Sequence, residues 1–518
     1  MRRLRVGIDV GGTNTDAVAL EGGQLVAWVK TPTTADVTTG IVTALDQLLE
    51  NDAVTAAEIA DVMVGTTHFT NAMAEVKGLL PTAVIRLCGP ATRALPPMVD
   101  WPPQVYRAVN GRVFLCQGGH EYDGREIVPL DRQELKDVAA EMRTVGLRTI
   151  AISAVFSPVN GSHEQEAAAV IADEHPEAKL SISTEIGRIG LLERENATIV
   201  NACLAGVADQ IVPTLEDTVR RHGIAARIHL CQNDGTLMDA DYAYRYPVAT
   251  FASGPTNSMR GAALLSGESD CVVVDIGGTT TDVGVLRKGF PREAAVAVAI
   301  AGVRTNFRMP DVLSLAIGGG SVVHLEPEVT VGPESVGYRL STEARVFGGP
   351  TLTATDLAVA CGQATVGDPG LVAGLDPEVV EQGLGWIRRR IAETIDRMKT
   401  EPDPIPVVVV GGGSLLLDGA LAGASRVVRP EHFQVANAIG AALAQVGGQV
   451  DRVVSLETTL RDQAVEAAKH EAATRCIAAG ADPASVRVVD VEEIPLAYLP
   501  SNAVRIVVRA IGDLRESR

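Results

Sequence analysis

The stretch Val6–Leu20, VGIDVGGTNTDAVAL, returns in altered form at Val272–Leu286 as VVVDIGGTTTDVGVL. Each copy holds an apolar run, an Asp, a Gly-Gly pair, alternating threonines and a second Asp. In the first copy the strand ends at Asp9, and Gly11 and Gly12 turn the chain into the next strand. Glycines without side chains let backbone amides close on a ligand, and a concave run of amides attracts anions. The hydroxyls of Thr13 and Thr15 and the amide of Asn14 add neutral groups. Asp9 and Asp16 would repel a phosphate unless a divalent cation stood between, and Mg²⁺ commonly does so while keeping several waters. The second copy offers Asp275, Gly277, Gly278, Thr279, Thr280, Thr281 and Asp282. A Gly-Gly turn can simply join two strands. Two long copies in distant parts of one chain favour two half-sites that grip one polyphosphate.

The rest of the sequence sets the frame. A chain of 518 residues exceeds one hydrophobic core, so two or three domains are expected. Apolar residues make up 46% and charged residues 21%, as in ordinary globular proteins. Aromatics are only 3%, and abundant Val, Ala and Gly suit parallel sheets buried on both faces. The net charge of −19 disfavours nucleic acid or an anionic membrane as partner. The seven cysteines are an odd count without a Cys-x-x-Cys pair. A reducing, cytoplasmic setting is therefore expected, with Cys271 packed in the core. No signal peptide is read at the N-terminus, and no apolar run reaches the roughly 18 residues of a membrane span.

Periodicity places strands at GQLVAWVKTP, IADVMVGTT, PTAVIRLCG, RTIAISAVF, ARIHLCQNDG and IPVVVVGGGSLL, with YPVATFASGP read as a strand and loop. NGRVFL looks like part of a hairpin. Helices are expected at TTGIVTALDQLL, HFTNAMAEV and VANAIGAALAQVG. Ser162 and Gln165 suggest a capping box. One long helix is expected across Glu193–Val219, interrupted at Pro213. The charged run Glu193, Arg194 and Glu195 reads as a hinge or surface. Beyond residue 450 a charged helix and two strands suggest an appended α+β unit.

The doubled hairpins and the later strand with Gly411, Gly412 and Gly413 resemble the actin, sugar-kinase and heat-shock-chaperone ATPase superfamily. The ordered phrases GIDVGGTNTD, VGTTHFTNAM, SISTEIGRIGLLERENATIVNACL, LCQNDGTLM, FASGPTNS and IGGGS resemble the hydantoinase A/5-oxoprolinase family, which includes acetone carboxylase subunits. The implied fold is α/β: two actin-like (ribonuclease H-like) domains around a nucleotide cleft, at 1–190 and 191–450, plus a small unit at 451–518. The implied ligand is Mg-ATP. Asp9, Asp275 and Asp282 would position Mg²⁺ mostly through water, the hairpin glycines and threonines would hold phosphates, and Gly411–Gly413 would line the nucleoside. The resemblance implies phosphorylation of a cyclic amide carbonyl (a hydantoin, 5-oxoproline or another lactam), giving an imidate-like phosphate that water attacks. It also implies a second subunit in an oligomeric complex. A small-molecule kinase, a carboxylase subunit and a nucleotide-gated activator are the alternatives. No Gly-x-Ser-x-Gly elbow, His-Glu-x-x-His pair, Walker loop or Rossmann fingerprint is present. His68, with Thr66, Thr67 and Asn71, is the substrate-side candidate, because open α/β sheets place ligand groups at strand ends. The loops Ser253–Pro255 and Gly318–Ser321 could also face the cleft.

Overall fold

The computed structural model describes residues 2–11, 13–33, 37–294, 297–457, 459–497 and 502–515. Among these the chain is mixed α/β, with two principal sheets, each carrying one copy of the repeated phrase. In one, nine strands run in the order Arg487–Pro495, Ala503–Gly512, Gln445–Ser455, Thr236–Asp239, Arg227–Cys231, Ile59–Thr66, Leu4–Val10, Asn14–Glu21 and Gln24–Pro32. In the other, Phe290–Pro291, Thr281–Arg287, Cys271–Ile276, Ile405–Val410 and Ala424–Val428 lie side by side, and Val312–Leu315 also pairs with Thr281–Arg287. A separate all-parallel sheet holds Asn110–Cys116, Thr82–Leu87, Thr149–Ala154 and Lys179–Ile182.

The repeat extends beyond the quoted phrase. Leu4–Val10 pairs antiparallel with Asn14–Glu21 and parallel with Ile59–Thr66. Cys271–Ile276 likewise pairs antiparallel with Thr281–Arg287 and parallel with Ile405–Val410. Val6, Ile8, Val62 and Val64 in the first trio, and Val272, Val274, Val407 and Val409 in the second, are buried. Strands covered on both faces read as continuous apolar runs, which is why these were visible in the sequence.

Two helices, Ser253–Ser266 and Ala436–Leu443, pack on each other between the principal sheets. The first touches Cys271–Ile276 and Thr281–Arg287, and the second touches Leu4–Val10 and Asn14–Glu21. Their backbones meet where glycine leaves no side chain. A β-carbon on Gly261 would lie 1.9 Å from the Ala436 carbonyl oxygen, and one on Gly440 would lie 1.9 Å from that of Asn257.

Several expectations are corrected. YPVATFASGP forms a 3₁₀ turn, Pro247–Thr250, and then the start of helix Ser253–Ser266, not a strand. NGRVFL belongs to a strand parallel to Thr82–Leu87, not to a hairpin. The long helix breaks at Leu204 with a 54° bend between Leu191–Cys203 and Ala205–Arg221, while Pro213 lies inside the second piece. Helix Ser162–Glu174 has no Ser162–Gln165 box; the Asn160 side chain accepts from the Ser162 amide instead, at 3.1 Å. Arg194 and Glu195 are buried at 1% and 0% exposure, not on a surface. Glu195 accepts from Arg86 and Ser153, and Arg194 donates to Ser183 and to the Ala154 carbonyl. Sheet membership also crosses the expected boundaries at 190 and 450. Strands Arg227–Cys231 and Thr236–Asp239 lie in the nine-stranded sheet, and the C-terminal strands extend the same sheet rather than standing apart. Cys271 is buried, as expected. No single helix among the described residues is long and apolar enough to cross a membrane.

The contact between the two helices yields a direct prediction. Gly440→Ala should lower stability by about 1–3 kcal/mol, because the new methyl must displace backbone. Thermal melting followed by circular dichroism checks this, and an unchanged midpoint would refute the close approach.

Candidate functional site

The two hairpins meet turn to turn. A β-carbon on Gly278 would lie 2.5 Å from the Thr13 hydroxyl oxygen, so the two half-sites share one seam. Asp9 and Asp16 face each other across the first hairpin, and Asp275 and Asp282 across the second. Each leading aspartate lies against a glycine at the end of the neighbouring parallel strand. A β-carbon on Gly65 would stand 2.5 Å from Asp9 Oδ1, and one on Gly411 would stand 2.2 Å from Asp275 Oδ1. Glycine at both places makes room for the carboxylates.

Asp9 is 4% exposed and is bracketed by two amides. Asn257 Nδ2 donates to its Oδ1 at 3.2 Å, and Asn437 Nδ2 donates to its Oδ2 at 3.3 Å. Asn257 and Asn437 come from the two packed helices. Asp16 pairs with Lys30, its cross-strand neighbour, whose Nζ lies 2.7 and 2.8 Å from the two carboxylate oxygens. Lys30 also donates to the Gln434 carbonyl at 3.0 Å.

Burial raises all four carboxyl pKa values. Asp9 is pushed up to about 7, chiefly by burial and further by Asp16 and Asp275, against the lowering effect of Asn257 and Asn437. Asp282 is pushed up to about 6, chiefly by burial and further by Asp275, while Ser314 opposes the shift. Asp16 is raised by burial against the attraction of Lys30. Asp275 is raised by burial, with Ser258, Lys30 and Asn437 acting in the opposite direction. Four carboxyls thus converge where Lys30 is the cation that acts on two of them, Asp16 and Asp275. A divalent cation would relieve that imbalance. Among the described residues no three His, Cys, Asp or Glu side chains are placed to ligate a metal directly.

The expected loops gather around this seam. Gly413 N donates to the Ile276 carbonyl at 2.7 Å, and Gly412 lies nearest Lys30. Gly319 N and Gly320 N donate to the carbonyls of Gly277 and Gly278 at 3.0 and 2.7 Å, so the Gly318–Ser321 loop backs the second turn. On the other side, Thr67 Oγ1 donates to the Val10 carbonyl at 3.4 Å, and His68 Nδ1 lies 2.5 Å from Thr66 Oγ1. Ser253 donates to the Thr66 carbonyl at 3.3 Å. Asn71 reaches Thr67 at 3.5 Å.

Thr15 and Thr281 depart from the expected phosphate-facing role. Both are fully buried; Thr281 donates to the Ile317 carbonyl at 2.6 Å, and Thr15 meets Thr33 at 3.3 Å. They hold the turns in shape. Thr13 and Asn14 remain partly exposed, and Thr279 and Thr280 are exposed at the second tip. Gly11 N and Gly277 N close their own turns on Asn14 and Thr280 carbonyls at 3.0 and 2.8 Å. Gly12 lies outside the described residues.

Lys30, Asn257, Ser258, Asn437 and Ser314 were missed in the sequence. Their signals were faint: Lys30 stands opposite Asp16 once the hairpin is extended, and the others sit in phrases legible only as helix or loop.

Residues 5–175 match the hydantoinase/oxoprolinase N-terminal region, and residues 194–367 match hydantoinase/oxoprolinase. The chain belongs to the hydantoinase/oxoprolinase family. Caprolactamase subunit alpha of Pseudomonas jessenii is 28% identical over 468 residues, covering 85% of this chain and 66% of that one. The acetone carboxylase beta subunit of Xanthobacter autotrophicus is 22% identical over 405 residues, covering 70% and 54%. The chain therefore spans less than two thirds of either curated relative. The crystal structure of an ATP-dependent caprolactamase from Pseudomonas jessenii superposes with a TM-score of 0.77 at 19% identity, covering 99% of this chain and 88% of that one. The expected α/β fold class is borne out by this match.

The raised carboxyl pKa values predict a pH dependence. Their folded values lie above the ordinary value near 3.8, so the folded state holds protons that the unfolded chain has released. Stability from these groups is complete below about pH 4 and is lost as pH rises through about 6 to 7. The chain without nucleotide should therefore unfold at lower urea at about pH 8 than at about pH 5.5. Asp9→Asn should shrink that difference, and urea midpoints at both pH values in wild type and variant would show whether it does. An equal difference in the two proteins contradicts the burial of Asp9.

Proposed function

We propose that this chain is the ATP-dependent subunit of a lactam-hydrolysing enzyme, acting on a small cyclic amide with a partner subunit. The observation that carries this reading is the convergence of both hairpins on one seam, with Asn437 reaching Asp9 and acting on Asp275. The similarity to a caprolactamase subunit over 85% of the chain supports the substrate class and the partner.

In this reading ATP, when bound with Mg²⁺, supplies the phosphoryl group that activates the amide carbonyl oxygen. Asp9, Asp275 and Asp282 hold the hydrated cation in place. The exposed ends of the turns, at Thr13, Asn14, Thr279 and Thr280, hold phosphate oxygens. Gly411, Gly412 and Gly413 leave a flat wall for the nucleoside. Lys30 pairs with Asp16, opposes the effect of burial on it and adds positive charge at the seam. His68 orients the amide or moves a proton near it, beside the first turn. Phosphoryl transfer is governed by positioning and charge neutralisation, so no activated nucleophile is required in this chain.

An ATP-dependent carboxylase subunit is the second reading, favoured by the acetone carboxylase relative. ADP release by the chain with its partner, measured against lactams, hydantoins and ketones, separates the two. Stimulation by a ring amide is expected; stimulation by ketone with bicarbonate alone would replace the first reading with the second. Asp282→Asn should lower ATP turnover by about a hundredfold or more while the chain stays folded, a size typical for loss of one preorganised electrostatic group. Full turnover in that variant would refute the cation assignment.

A further inference from the structure

Away from the seam, a cavity of about 210 Å³ opens between the loops at 157–161 and 184–189 and the C-terminal strands. That is far more than the roughly 10–15 Å³ that a single water needs. Arg188, Arg452 and Arg505 stand on its wall beside the neutral donors Ser157 and Thr184, and Asp451 is the carboxylate among its lining. None of the lining residues belongs to the hairpins or to the glycine loops around them.

Among the described residues, arginines outnumber acids behind this wall. Arg505 donates to Asp451 at 2.8 and 2.6 Å, Arg308 lies 3.4 Å from the same carboxylate, and Arg188 Nε lies 3.8 Å from it. Arg188 and Arg509 both pair with Glu293. Four guanidinium groups therefore share two carboxylates among the described residues, while Asp234 adds a weaker attraction to Arg308. Arg452 has its own partner, Glu471, at 3.2 Å. Arg188 Nε, Arg308 Nη1 and Arg509 Nε are buried and donate no hydrogen bond. Burial and the neighbouring arginines lower Arg188 to about 9. A fold that gathers buried cations in excess stores an uncompensated charge, and an anion in the adjoining cavity would neutralise it.

We propose that this cavity is a binding site for a compact dianionic oxyanion, either inorganic phosphate or a small dicarboxylate. Guanidinium groups match both chemistries, since their planar donors fit paired oxygens. A volume of this size suits a small ligand, and the strongly acidic chain around it makes a local basic pocket selective for such an anion over a polyanionic polymer.

Isothermal titration of the full chain with inorganic phosphate and, separately, with succinate tests the proposal at ionic strength held constant by chloride. Saturable binding of at least one anion is expected, and the tighter of the two identifies the ligand chemistry. Arg188→Gln should weaken that binding by about tenfold or more, as expected for a charge-assisted contact. Gln165→Glu provides a second variant, because Gln165 is exposed on the cavity rim and its replacement leaves the arginine pairs intact. It should also weaken binding while the circular dichroism spectrum stays unchanged. Absence of saturable binding by either anion, or wild-type affinity in Gln165→Glu, would overturn the proposal; the latter would place the anion elsewhere, such as at the hairpins.

Discussion

The structure depends on one buried carboxylate. Asp9 ends a strand in the seam between two sheets, nearly out of contact with water. Burying an acid is costly unless hydrogen bonds or cations compensate it. The fold supplies two amide donors from two helices packed against each other. Gly261 and Gly440 let those helices touch, and Gly65 leaves space beside the carboxylate itself. The same helices carry Ser258 and Asn437 toward Asp275. The two halves of the chain are thus joined at the place where their acids converge, so any shift between the sheets would be felt by both carboxylates.

This arrangement explains why the repeat is larger than its quoted phrase. In each half a hairpin lies beside a parallel strand, and that strand ends in glycine against the leading aspartate. The turn of one half packs on the turn of the other. Around this pseudo-symmetric centre the halves differ. The first half carries Thr66, Thr67 and His68 after its parallel strand, and the second carries Gly411–Gly413. The hydroxyls along the hairpins divide by their distance from the tip: Thr15 and Thr281 lie in the strands and are buried, while Thr13 and Thr279 stand in the turns. The second aspartates differ too, because Asp16 has Lys30 across the strand and Asp282 has Ser314.

Much of this was legible before the structure. Valine-rich strands buried on both faces announce themselves, and the repeated Asp-x-Gly-Gly-Thr phrase located both hairpins and all four acids. Partners that arrive from distant helices were not legible. Nothing local marks Asn257 or Asn437 as a carboxylate ligand, since only the packing of two small-residue helices brings them to Asp9. Charge misled the reading at Arg194 and Glu195, whose partners Ser183, Arg86 and Ser153 come from other elements. Cap chemistry misled it at Ser162, where Asn160 two residues earlier supplies the acceptor. The C-terminal segment looked separate because its helix is highly charged, yet its strands find their place by edge pairing with the first sheet, a contact that no local pattern encodes. The arginine surplus around Asp451 was invisible for the same reason, being assembled from three remote segments.

The central claim is that both hairpins hold one Mg-nucleotide. A crystal structure of the chain with Mg²⁺ and a non-hydrolysable ATP analogue tests it most directly. The account predicts one nucleotide whose phosphates lie between the turns at Thr13 and Thr279, with the cation's waters facing Asp9, Asp275 and Asp282. A nucleotide bound to one hairpin alone, or at a site away from both, would contradict it.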